Sequence, residues 1–163
     1  MTTGRRLAVA TLLIALIGVG GVEAKQLRGD RDSERLVGTR DDDRIKAYGG
    51  EDVVVGRGGA DVLRAGHGND EVIGSAGADE VHGAPGADRV RGGPGFDDIR
   101  GGADDDRLNG GGGEDDVAGR SGNDRIYARD GNQDTIDCGK GEDRVVVDDF
   151  EDGVFDCEKV RLP

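Results

Sequence analysis

Ten consecutive nine-residue units run from Gly38 to Tyr127 in register and without a gap: GTRDDDRIK, AYGGEDVVV, GRGGADVLR, AGHGNDEVI, GSAGADEVH, GAPGADRVR, GGPGFDDIR, GGADDDRLN, GGGGEDDVA and GRSGNDRIY. The sixth position is always Asp: Asp43, Asp52, Asp61, Asp70, Asp79, Asp88, Asp97, Asp106, Asp115 and Asp124. The eighth is always aliphatic: Ile45, Val54, Leu63, Val72, Val81, Val90, Ile99, Leu108, Val117 and Ile126. A weaker unit, GDRDSERLV from Gly29, precedes them with Glu34 in the Asp position. So short a unit cannot bury a face of its own, so the units must stack on one another.

Residues seven to nine of most units alternate polar, aliphatic, polar, the period of a short strand with one side chain inward and two outward. Glycine at positions one and four points to positive φ and close backbone stacking, with the first six residues forming a turn. Parallel stacking of such strands makes a solenoid. With two units per coil, equivalent positions lie 18 residues apart in sequence and about 4.8 Å apart in space.

That geometry stacks like charges. Asp52, Asp70, Asp88, Asp106 and Asp124 line one edge, and Asp43, Asp61, Asp79, Asp97 and Asp115 the other. Carboxylates about 5 Å apart in a partly desolvated turn repel strongly without a counterion. One buried aliphatic per nine residues is a small hydrophobic return against the entropy of ordering them. Calcium is the cation expected, because it accepts six to eight hard oxygens in flexible geometry, including the backbone carbonyls of glycine-rich turns. Magnesium demands a tight octahedron, and zinc prefers the His and Cys ligands that are scarce here.

The composition agrees. Acidic residues outnumber basic ones 35 to 22 for a net charge of -13, which argues against nucleic acid or an anionic membrane as partner. Hydrophobic residues make up 34% and aromatics 3%, against 32 glycines, so a conventional packed core is not expected. Three prolines and no glycine at every third residue exclude collagen.

Arg5 and Arg6 precede an apolar run from Leu7 to about Val22, followed by Val22-Glu23-Ala24. Residues 1–24 therefore read as a secretory signal peptide, with Lys25 opening a secreted, extracellular chain that does not insert in a membrane after cleavage. The other reading, a retained anchor, needs a longer run.

The motif Gly-Gly-x-Gly-x-Asp-x-aliphatic-x, met in full by GGPGFDDIR at residues 92–100, resembles the RTX, or haemolysin-type, calcium-binding repeat family. The resemblance implies an all-β, right-handed parallel β-roll (a β-solenoid, two repeats per coil) with multiple calcium ions held between successive turns. It also implies that the ten Asp residues above are ligands. Tyr48, Arg57, Ser75 and Arg120 depart from Gly at position two, and Asp41 and Asp104 at position four. Those turns are expected to bind more weakly or to use an extra carboxylate. An N-terminal signal segment and a nearly pure repeat array resemble the short, stand-alone exported members, so toxin or hydrolase activity is not transferred.

Residues 25–37 form a lead-in with the one degenerate repeat, and 38–127 the repeat array. At Ala128 the register slips by one residue, and 128–163 hold looser units and a cap, with Phe150 at a glycine position and Phe155 at a strand position. The looser units set Asp134, Asp143 and Asp152 at the Asp position, and of these Asp143 joins the ligand set. Cys138 and Cys157 are 19 apart, one more than a coil, which sets them on adjacent turns in reach of a disulfide suited to an exported protein.

No catalytic constellation is found: His67 and His82 lie inside repeats as surface residues, and neither Ser75 nor Ser121 sits in a nucleophile elbow. A second reading is a calcium-rigidified structural or adhesive surface module about 34 Å long, binding a protein or polysaccharide. Val53, Val55, Val62 and Ile73 stand at outward strand positions, with Val55 and Ile73 as stacked neighbours. Outward Arg89, Arg91, Arg100, Arg107 and Arg125 alternate with acids, so cross-strand ion pairs are expected rather than a polyanion grip. Ice binding would want a threonine row, which the chain lacks. Without calcium, an acidic, glycine-rich disordered chain is expected.

Overall fold

The computed structural model describes residues 25–148 and 153–162, and among these there is no helix. The expected signal peptide, Phe150 and Asp152 lie outside the described residues. Sixteen strands follow one another: β1 Gln26–Arg28, β2 Arg35–Val37, β3 Arg44–Gly49, β4 Val53–Gly58, β5 Val62–His67, β6 Glu71–Ala76, β7 Glu80–Pro85, β8 Arg89–Pro94, β9 Asp98–Ala103, β10 Arg107–Gly112, β11 Asp116–Ser121, β12 Arg125–Ala128, β13 Thr135–Asp137, β14 Arg144–Val147, β15 Gly153–Phe155 and β16 Lys159–Arg161. Odd strands form one eight-stranded sheet and even strands another, each in sequence order. All the pairings are parallel, as a solenoid with one strand per sheet per coil requires.

The period sets the register. Val54 pairs with Val72, Val72 with Val90 and Val90 with Leu108, each 18 residues on. The residue inserted after Tyr127 lengthens the step once in each sheet, to Val117↔Ile136 and Ile126↔Val145. Eighth-position aliphatics from the two sheets make the core: Ile45, Leu63, Val81, Ile99, Val117 and Ile136 from one, and Val54, Val72, Val90, Leu108, Ile126 and Val145 from the other, all buried. Val55 and Ile73 are stacked neighbours on the outer face, as the two-unit coil requires.

Two sequence expectations need correction. The turn is shorter than six residues, because most strands continue through positions one to three of the next unit; β4 spans Val53–Gly58 and keeps pairing at Arg57↔Ser75 and Gly58↔Ala76. Positive φ falls at positions two and four, not one and four. Position two holds Tyr48 (82°), Arg57 (90°), Ser75 (94°), Ala84 (88°) and Arg120 (81°) in the left-handed region, and Asp104 (77°) does so at position four. Each costs on the order of 1–2 kcal/mol relative to glycine, and at position two ladder pairing such as Tyr48↔Gly66, Arg57↔Ser75 and Ala84↔Gly102 holds it there.

The first-position glycine is needed for space. A Cβ on Gly83 would fall inside contact distance of Asp88 Oδ2 and 2.7 Å from Gly101 O. At the C-terminal end Cys138 and Cys157 are disulfide-bonded with Cα atoms 5.1 Å apart, across a separation of 19 residues.

Candidate metal centre

The turn that joins each strand to the next ends in the sixth-position Asp, and that side chain folds inward. Asp43, Asp52, Asp61, Asp70, Asp79, Asp88, Asp97, Asp106, Asp115, Asp124 and Asp143 are all no more than 3% exposed. Each uses Oδ1 to accept the backbone N–H of the equivalent residue one coil back. Along one edge Asp43 N donates to Asp61 (2.7 Å), Asp61 N to Asp79 (2.8 Å), Asp79 N to Asp97 (2.9 Å) and Asp97 N to Asp115 (2.9 Å). Along the other, Asp52 N donates to Asp70 (2.7 Å), Asp70 N to Asp88 (2.8 Å), Asp88 N to Asp106 (2.8 Å), Asp106 N to Asp124 (2.8 Å) and Asp124 N to Asp143 (2.7 Å). The structure thus brings all eleven sequence-assigned residues into two continuous columns.

Two members of these columns lie outside the ligand set assigned from the sequence. Asp134 is as buried as the rest and accepts Asp115 N at 2.8 Å. Glu158 closes the other column by accepting Asp143 N at 2.8 Å through Oε2. The displaced repeat after Ala128 already set Asp134 at the Asp position, whereas Glu158 sits in no repeat unit and left no signal.

The second carboxylate oxygen decides the chemistry. Oδ2 of Asp52, Asp61, Asp70, Asp79, Asp88, Asp97, Asp106, Asp115, Asp124 and Asp143 is buried with no hydrogen-bond donor. A bare buried carboxylate oxygen is costly unless a proton or cation meets it. Asp43 differs, because its Oδ2 accepts from the backbone N–H of Thr39 and, at 3.1 Å, from the Thr39 hydroxyl. Thr39 stands at position two of that unit, and its hydroxyl adds a donor that glycine lacks.

Burial raises the proton affinity of these groups. Loss of water pushes Asp52, Asp61, Asp79 and Asp124 up from 3.8 to about 6, against the pull of the neighbouring backbone N–H. Asp88 and Asp115 rise to about 7 and Asp106 to about 8 by the same cause, with column neighbours such as Asp70 beside Asp88 adding repulsion. Asp70, Asp97 and Asp143 are raised too, again chiefly by burial.

Beside the orphan oxygens of Asp61, Asp79, Asp88, Asp97, Asp106 and Asp124 lies a backbone carbonyl. The first-position cradle that a Cβ would fill is walled by the unit's own Asp Oδ2 and by the first-position carbonyl of the next coil, as with Asp79 Oδ2 and Gly92 O around Gly74. Among the described residues no group of three or more His, Cys, Asp and Glu side chains could hold a metal ion. Carboxylate Oδ2 and backbone carbonyl oxygen together form a set of hard oxygens whose chemistry fits calcium. His82 lies off the columns, 2.8 Å from Glu80 Oε1, and His67 is exposed at the end of β5.

A family model for the RTX calcium-binding nonapeptide repeat (4 copies) matches the chain over residues 28–63, 55–90, 82–117, 111–145 and 119–152. Comparison with curated proteins and with solved structures returns no match.

Proposed function

The chain belongs to the RTX calcium-binding nonapeptide repeat family, and from that membership we propose that it is an exported calcium-binding protein folded by several ions bound along its two aspartate columns. The ligands assigned are Asp52, Asp61, Asp70, Asp79, Asp88, Asp97, Asp106, Asp115, Asp124 and Asp143, with turn carbonyls completing each shell. Asp134 is added to them, and Asp43 is a weaker ligand because Thr39 already occupies its second oxygen. The observation that carries this reading is the run of ten buried Oδ2 atoms without a donor. Calcium would neutralise the stacked charge and so supply the stability that this thin core does not.

Export is supported by the signal-like segment before Lys25 and by the paired cysteines, which suit an oxidising, calcium-rich compartment. No catalytic role is assigned, since an RTX solenoid is generally a structural unit. Titration calorimetry of the full chain with calcium and with magnesium tests the reading. Several calcium ions per chain, bound far more tightly than magnesium, are expected; a single ion, or equal affinity for magnesium, would overturn it.

A further inference from the structure

The outer face of the even sheet carries a row of cations of which the four arginines make no ion pair among the described residues. Position seven of five consecutive strands is Arg89, Arg107, Arg125, Arg144 and Lys159, each in register with the next. At one strand spacing apart, the row runs about 19 Å along the solenoid. Beside it on position nine stand Arg91, Asn109 and the exposed Tyr127. Shallow grooves of about 350 and 250 Å³ flank the row, one between Tyr127 and Arg144 and the other between Ile73 and Arg107.

Of the expected cross-strand ion pairs, one forms on the other sheet, Arg64 to Glu80 at 3.2 Å, while Arg100 there meets Asp98 of its own strand at 2.7 Å. Among the described residues Arg89, Arg91, Arg107, Arg125 and Arg144 make no ion pair, and only Lys159 reaches a carboxylate, Glu142 at 3.5 Å. The expectation fails for a topological reason. Acids one unit away in sequence project from the opposite sheet, whereas the neighbour in space is one coil away and is another cation at every step within the row; Glu71 stands in register with Arg89 at its start without pairing to it. Stacked like charges are unfavourable in a sheet, so this row favours an external anion.

We propose that this face binds a linear anionic polysaccharide, bearing carboxylate or sulfate groups along its length, laid along the arginine row. Guanidinium forks grip such groups in a bidentate manner, and Tyr127 offers a flat, amphipathic ring beside them. The row is narrow, and its rims carry the exposed acids Asp104, Asp105 and Glu142. A thin chain avoids these rims. A nucleic-acid duplex, with one charge per about 1.7 Å, or a planar anionic bilayer would bring its charge within a screening length of them. The proposal goes beyond calcium binding and needs only the stacked register.

The test uses the full chain in saturating calcium, with far-UV circular dichroism confirming the β-fold, and hyaluronan and dextran sulfate as probes. Neutral dextran, a short DNA duplex and phosphatidylserine vesicles serve as comparators. Binding to at least one acidic polymer, weakened by salt and absent for neutral dextran, is expected. The double variant Arg107→Glu/Arg125→Glu should lose about a hundredfold in affinity, two charge-assisted contacts at about tenfold each. Arg100→Glu, on the opposite sheet, should leave affinity unchanged. No binding, indifference to the double variant, or tighter binding of DNA or vesicles would overturn the proposal. A chain that is β-rich and binds without calcium would sink the calcium reading while leaving this one standing.

Discussion

Asp106 shows how one side chain serves two masters. Its Oδ1 closes a backbone hydrogen bond from Asp88 N at 2.8 Å, whereas its Oδ2 is buried without a donor. Asp106→Asn preserves the first role, since an amide oxygen accepts equally well, and deletes the charge that burial penalises. The substitution should therefore act with opposite sign in two conditions. In chelator the thermal midpoint should rise; in calcium the concentration needed for half-folding should increase about tenfold, because a charged ligand is gone. Thermal melts of the variant with and without calcium check this. A variant destabilised equally in both would mean that the carboxylate is only a hydrogen-bonding strut. Glu114→Gln, an exposed acid in the next turn, should change neither.

At the scale of the coil, most of the architecture was legible before any coordinates, and the reason is arithmetic. Two nine-residue units make one coil, so every side chain's neighbour in space could be read off 18 residues away, and the aspartate columns and the aliphatic core followed. What stayed hidden did not repeat. Glu158 caps a column from outside the pattern, and the Thr39 hydroxyl reaches Asp43 through one unit's deviation. The left-handed backbone at Tyr48, Arg57, Ser75, Ala84 and Arg120 was missed because glycine is absent there; the coil imposes that conformation through pairing, overriding local preference. The unpaired arginine row was misread because alternation along the chain was taken for alternation across the sheet. The last coils also carry a prediction. Reducing Cys138–Cys157 removes a constraint worth about 3 kcal/mol in the chain-entropy model, at the end where solenoids fray. Hydrogen exchange should lose protection in β13 to β16 and keep it in β5 to β11. Uniform loss would show that the disulfide holds the whole molecule rather than its end.

For the molecule as a whole, the columns couple folding to both protons and metal. In the metal-free chain burial pushes column carboxylates up from the usual 3.8, Asp52, Asp61, Asp79 and Asp124 to about 6, Asp88 and Asp115 to about 7 and Asp106 to about 8. The folded state thus holds protons that the unfolded state releases. The stability they contribute is fully present below pH 3.8 and is lost as pH rises through about 6 to 8. Calcium reverses the sign, because it competes with those protons and binds the ionised form. Melting should accordingly weaken from mildly acid to mildly alkaline pH without metal and strengthen over the same range with calcium; parallel trends would show that the columns are not the linked groups. The central claim is that calcium folds this roll, and far-UV circular dichroism of the oxidised chain, titrated with calcium from chelator at pH above the highest column value, tests it most directly. A coil-to-β transition that magnesium at equal ionic strength fails to produce is the expected result. A spectrum already β-rich in chelator, or one that remains coil at saturating calcium, would contradict it.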